Sequence, residues 1–147
     1  MARARVSHIG VCVSDLRRSL RFYQDALGFR FTHELEVKGE PSDTLLRLRD
    51  VELRALYLEK DGVTIELLSY ASPGHVAEPG LRPLNRLGLT HLSFQVDDLE
   101  GLLPALEAAG GAVLADTRID VPAAATTAVF VTDPDGTLIE LVQRDDG

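Results

Sequence analysis

Four side chains of this 147-residue chain share a pattern suited to metal chemistry: His8, Glu66, His91 and Glu140. Each histidine opens a similar segment, HIGVCVSDL from His8 and HLSFQVDDL from His91, at an offset of 83 residues. Each glutamate closes a similar segment, GVTIEL at Gly62–Leu67 and GTLIEL at Gly136–Leu141, at an offset of 74 residues. A carboxylate set in an apolar strand needs a partner, because burying a lone charge is costly. A divalent cation is a sufficient partner. Two imidazoles with two carboxylates suit borderline metals, namely Ni, Co, Zn, Mn or Fe. A single strand histidine is more often packed or hydrogen-bonded than a ligand, and a single glutamate near a strand end is usually solvated. Repetition of both residue types in equivalent places is what favours the metal. His33 and His75 have no repeat partner and read as surface or substrate-rim residues. Cys12 reads as a small core or pocket-wall residue, since nothing near it in sequence would activate a thiol.

The elements that must position these groups also occur twice. Val6–Val13 reads as a strand, Ser14 or Asp15 as a helix cap, and Leu16, Leu20, Tyr23 and Leu27 as one apolar helical stripe stopped by Gly28. Strands are expected near Arg30–Val37, Thr44–Leu48, Glu52–Leu58 and Thr64–Leu68, with a hairpin turn at Asp61–Gly62. Strand alternation puts Glu66 on one face and Ile65 and Leu67 on the other, toward a helix-covered core. In the second half, His91–Val96 reads as a strand and Asp98 as an N-cap. A helix carrying Leu99, Leu102, Leu103 and Leu106 follows, ended by Gly110–Gly111. Pro104 predicts a kink, or a helix that starts later. Ala112–Ala115, Thr126–Val131 and Leu138–Gln143 are the remaining strands, and Asp135–Gly136 repeats the turn. The expected fold is α+β, two βαβββ modules in tandem: residues 5–70, a linker loop at 71–88, and residues 89–144. Lys38–Asp43, Ser69–Gly88 and Thr117–Ala125 read as the long loops.

Composition narrows the partners. Fifteen basic and 23 acidic residues give a net charge of −8, which disfavours nucleic acid and anionic membrane as partners. One cysteine permits neither an intrachain disulfide nor a thiolate metal cluster, and points to a reducing cytoplasm. The first residues, MARARVSHIGVCV, contain no long apolar stretch, so neither a signal peptide nor a membrane span is expected.

Four stretches, HIGVCVSDLRRSLRFYQDALGF, GVTIELL, THLSFQVDDLEGLLPALEAAGG and FVTDPDGTLIELVQ, resemble the vicinal oxygen chelate superfamily. That superfamily includes glyoxalase I, methylmalonyl-CoA epimerase, extradiol dioxygenases and antibiotic-binding resistance proteins. The resemblance covers nearly the whole chain. It implies paired βαβββ modules whose curved mixed sheets form a metal-bearing cup, with His8, Glu66, His91 and Glu140 as ligands. It also implies stabilisation of an enolate by the metal while a carboxylate, Glu140 or Glu66, removes the proton α to a carbonyl. Members usually pair, so a homodimer is expected, with Val6–Val13 and His91–Val96 as the contact region.

The first expectation is therefore a metal-dependent lyase or isomerase of glyoxalase type acting on a small molecule. An Fe(II)-dependent extradiol-type dioxygenase is the alternative. It would use His8, His91 and Glu140 and leave open the position that Glu66 fills. A metal-free drug- or metabolite-binding protein of resistance type is the third reading, opposed by the intact four residues. Glyoxalase I carries an Arg after its first His and an Asn after its first Glu, both holding glutathione. Here those positions fall in Val11–Cys12–Val13 and Leu68–Ser69–Tyr70. The epimerase has Gln at the position of Glu66. Arg47, Arg49, Arg54, Arg82, Asn85 and Arg86 offer cationic or polar groups to an anionic substrate, though solvated strand and loop positions account for them as well.

Overall fold

A computed structural model describes residues 2–78 and 80–145. Its contacts divide the chain between Ala77 and Glu78 into two compact units. The first unit holds β1 (Ile9–Cys12), α1 (Leu16–Leu20), β2 (Arg30–Lys38), α2 (Ser42–Leu46), β3 (Glu52–Lys60) and β4 (Val63–Ser72). The second holds β5 (Leu92–Val96), α3 (Leu99–Ala108), β6 (Ala112–Val121), β7 (Thr126–Thr132) and β8 (Leu138–Arg144). Each unit has one four-stranded mixed sheet, ordered β1-β4-β3-β2 and β5-β8-β7-β6. The first strand of each pairs in parallel with the last, and the other ladders are antiparallel.

One face of each sheet is apolar and carries the core. Ile65 and Leu67 on β4, and Ile139 and Leu141 on β8, are at most 1% exposed. Burying each such side chain contributes roughly 1.5–3 kcal/mol. That fixes the opposite face for Glu66 and Glu140, because a one-residue slip would exchange them with the core residues. Asp15 and Asp98 cap the helices, accepting from Arg18 N at 3.1 Å and Gly101 N at 2.9 Å. The hairpin between β3 and β4 closes through Asp61 (φ 52°) and Gly62 (φ 80°). Both are left-handed, which a two-residue turn of matching twist requires.

The structure corrects several expectations. β1 and β5 begin at Ile9 and Leu92, so His8 and His91 stand just before the strands rather than inside them. The first helix does not run as one α-helix. After Leu20 it widens into π turns over Arg21–Ala26, with Leu27 N bonded to Phe22 O at 3.1 Å. Phe22 joins Tyr23 and Leu27 in the core, while Leu16 and Leu20, in the α-helical stretch before the widening, are half-buried.

Thr44–Leu48 is not a strand: α2 occupies Ser42–Leu46. Asp43 accepts the backbone N–H groups of Asp50 and Val51, and Glu40 accepts the N–H and hydroxyl of Thr44. These local bonds satisfy the backbone without a sheet partner. The expected loop Thr117–Ala125 is largely β6, which runs to Val121 across a register shift between Leu114 and Ile119. Thr117 Oγ1 bridges the break, donating to Leu114 O at 2.7 Å and accepting from Phe130 N at 2.9 Å. β4 takes Ser69–Ser72 from the expected Ser69–Gly88 loop. α3 starts at Leu99, directly after its cap, and continues through Pro104, so the start is not delayed. Among the described residues no helix is long and apolar enough to cross a membrane.

Candidate metal half-sites

In the first unit, β4 lies between β1 and β3, and the ladders place Gly10, Glu66, Tyr57 and His33 in one row across the sheet. Residues paired in a ladder share a face, so this row lies opposite the core. His8, two residues before Gly10, brings its Nε2 to 3.8 Å from Glu66 Oε2. Glu66 is 9% exposed, and Tyr57 Oη donates a hydrogen bond to its Oε2. The Tyr57 ring meets His8 edge-on at 5.3 Å and stacks on His33 at 4.3 Å. Burial, followed by the hydrogen bond to Glu66 and its charge, pushes the Tyr57 phenol up to about 12. The phenol therefore stays protonated, as a donor, at neutral pH.

The second unit repeats the row as Ser93, Glu140, Phe130 and Leu114. The Phe130 ring meets His91 at 5.3 Å, as Tyr57 meets His8. Ser93 Oγ donates to Glu140 Oε1 at 2.8 Å.

Both histidines are oriented alike. Ser7 Oγ lies 2.8 Å from His8 Nδ1, and Thr90 Oγ1 lies 2.7 Å from His91 Nδ1. The preceding hydroxyl engages Nδ1 in each ring, and in the first unit Nε2 is turned toward Glu66. Engagement of the second nitrogen is what fixes tautomer and ring plane in histidine ligands. Imidazole and carboxylate, the donor types that each unit supplies, suit a borderline divalent cation. Each unit by itself supplies one His and one Glu. Among the described residues no three His, Cys, Asp or Glu side chains gather into a metal-holding group.

The other singled-out residues lie elsewhere or are already engaged. His33 is exposed on β2, with Nδ1 3.0 Å from Thr32 Oγ1. His75 is exposed in the connecting segment. Cys12 is exposed, not a core residue. Arg54 is held by Glu34, Arg86 by Glu78, and Arg82 by the carbonyls of Arg86 and Leu87. Those three arginines therefore read as structural. A cleft of about 740 Å³ in the first unit is lined by Asp15, Arg17, Glu36, Lys38, Glu52 and Arg54 among others, and by none of the four candidate ligands. Its charges partly neutralise one another, as in the 3.1 Å Lys38–Glu52 pair, so we do not place the chemistry there.

Sequence reasoning missed Tyr57, Phe130 and Ser93. A third repeat would have found the two aromatic positions. Ala55–Leu56–Tyr57–Leu58 matches Ala128–Val129–Phe130–Val131 at an offset of 73 residues, one short of the offset joining Glu66 to Glu140.

Residues 5–141 match the profile of the Glyoxalase/Bleomycin resistance protein/Dioxygenase superfamily. The chain belongs to this superfamily. Within it, a probable lactoylglutathione lyase of Vibrio parahaemolyticus is 31% identical over 144 residues, which cover 98% of this chain and 94% of that protein. A glyoxalase family protein of Bacillus cereus has the same fold, with a TM-score of 0.82 at 19% identity, covering 97% of this chain and 95% of the other. The fosfomycin resistance protein FosX of Listeria monocytogenes, complexed with Mn(II) and sulfate, superimposes with a TM-score of 0.59 at 16% identity, covering 99% and 96%. The superfamily fold of tandem βαβββ modules is thus present in both halves, each with its His–Glu pair at the same register.

Proposed function

We propose that this superfamily member is a metal-dependent lyase or isomerase of glyoxalase type that moves a proton α to a carbonyl of a small substrate. The observation that carries the reading is the twofold His–Glu pair, each His oriented by the hydroxyl before it. The proposed ligands are His8, Glu66, His91 and Glu140, and the proposed metal is a single divalent Ni, Co, Zn, Mn or Fe ion per set. When bound, the cation supplies Lewis-acid stabilisation of negative charge developing on a substrate oxygen. His8 and His91 present Nε2, and Glu66 and Glu140 present carboxylate oxygens. One carboxylate, Glu140 or Glu66, accepts the α proton and returns it to the neighbouring atom. The relative named a probable lactoylglutathione lyase supports proton-transfer chemistry, and the Mn(II) of FosX supports a divalent metal. The substrate need not be a glutathione adduct, since Val11–Cys12–Val13 and Leu68–Ser69–Tyr70 stand where glutathione-holding residues would be expected. Plasma emission analysis of the purified protein tests the reading. One divalent metal per four-ligand set is expected, and a protein that carries none and takes up none contradicts it.

We also propose a homodimer. β1 and β5 are edge strands of their sheets, and an edge presents unpaired backbone groups that invite covering. Light scattering at micromolar concentration is expected to give twice the chain mass of 16.0 kDa. A monomer contradicts the claim. With Cys12 as the single cysteine, a reducing cytoplasm is the compartment we assign.

A further inference from the structure

We infer that Tyr57 and Ser93 are positioning residues, each fixing the rotation of one carboxylate, Glu66 and Glu140 respectively, for its role as a metal donor. The inference rests on the metal reading above. Each carboxylate accepts one hydroxyl, but the two hydroxyls come from non-equivalent places. Tyr57 is on β3, and its counterpart on β7 is Phe130, which has no hydroxyl. Ser93 is on β5, and its counterpart on β1 is Gly10, which has no side chain. The first unit thus supplies its hydroxyl from the strand on one side of the glutamate, and the second unit from the strand on the other side. Rings in both units pack on the histidine, so the ring is shared and the hydroxyl is what has moved.

A carboxylate oxygen has two lone pairs, so one that accepts from a hydroxyl retains another for a cation. Tying one oxygen removes rotational freedom that metal binding would otherwise have to freeze. Without such a bond, Glu66 would have to settle its plane on each binding event.

The crossed arrangement supplies its own test. Tyr57→Phe removes the hydroxyl and keeps the ring on His8 and His33. Calorimetric titration of the full chain with Ni(II) alone is expected to show affinity reduced roughly 10–100-fold, while the metal-free protein still unfolds cooperatively, at a temperature lowered by the loss of a buried hydrogen bond. Adding Gly10→Ser to that variant places a hydroxyl beside Glu66 where Ser93 stands beside Glu140. A Cβ at Gly10 would lie 3.2 Å from Leu68 Cδ1, the end of a flexible side chain that can give way. The double variant is expected to regain most of the lost affinity. Unchanged affinity in Tyr57→Phe, or a loss that Gly10→Ser leaves in place, overturns the inference. If Tyr57→Phe does not fold, exposed Ser93 decides instead: Ser93→Ala is expected to weaken Ni(II) binding to a similar extent, and wild-type affinity overturns the inference. His8→Ala separates this from the parent reading. Ni(II) bound as tightly by His8→Ala as by the wild type means that the metal reading fails. Binding that needs His8 but ignores both hydroxyls means that this inference alone fails.

Discussion

His8→Ala and His91→Ala are each expected to lose bound metal while the chain stays folded. Removing a direct donor should exceed the roughly 10–100-fold that loss of an outer partner costs in affinity. The fold should tolerate both changes. The two histidines stand just before β1 and β5, outside the strands, and both are exposed. Substitutions at such positions usually stay within about ±0.5 kcal/mol. His75→Ala is the matched control, because His75 is also exposed but lies in the connecting segment. It should retain metal like the wild type. Metal analysis of the three variants after dialysis checks the expectation, and stoichiometric metal in both His8→Ala and His91→Ala contradicts it.

Glu140→Gln is expected to nearly abolish turnover. An amide has almost the shape of the carboxylate, and its oxygen can still accept from Ser93 Oγ, now 2.8 Å from Glu140 Oε1. It cannot accept a proton at neutral pH. Loss of a positioned base costs about 10²–10⁴-fold, and loss of a charged metal donor adds to that. Steady-state rates of the metal-loaded variant, set beside its metal content, separate the two contributions. A Glu140→Gln variant that turns over at the wild-type rate contradicts the assignment of Glu140 as base or ligand.

Much of this arrangement was legible in the sequence, because β alternation and repetition are local signals. The apolar positions of Ile65, Leu67, Ile139 and Leu141 set which face the glutamates take. Tyr57 was legible as well, by one further step. A two-residue turn at Asp61–Gly62 pairs Lys60 with Val63 and therefore, three residues further back along each strand, Tyr57 with Glu66. The matching pair in the second unit, Phe130 with Glu140, spans a longer turn, where Thr132 pairs with Leu138 and loop length no longer dictates register. Other features had no simple local signal. Thr44–Leu48 has strand-like residues, yet carboxylates at Glu40 and Asp43 hold it in a short helix. Thr117–Ala125 reads as a loop, yet β6 continues to Val121 once Thr117 bridges the irregularity. Of the helical stripe, Tyr23 and Leu27 are buried as expected and Leu16 and Leu20 are half-buried, while the π turns after Leu20, which add Phe22 to the core, have no signature in a 3.6-residue pattern.

The arginines show the limit in the other direction. Arg54, Arg82 and Arg86 look like anion-binding groups in sequence, yet each is bound within its own unit. Their charges are committed to Glu34, to backbone carbonyls and to Glu78, and a substrate anion would have to displace those partners. Alternation and composition carry no information about such pairings: Arg54 meets Glu34 because β3 lies beside β2, and Arg82 and Arg86 find their partners by the local path of the segment between β4 and β5.

The proposed reaction is proton transfer at a carbon next to a carbonyl. Its most direct test is solvent-deuterium exchange, with the metal-loaded protein incubated in D₂O with a panel of small α-hydroxycarbonyl compounds and followed by NMR. Label is expected at the α-carbon, dependent on metal and absent in Glu140→Gln. Absence of exchange across the panel, together with Fe(II)-dependent oxygen uptake on an aromatic diol that survives Glu66→Ala, would contradict it and establish ring-cleaving oxidation in its place.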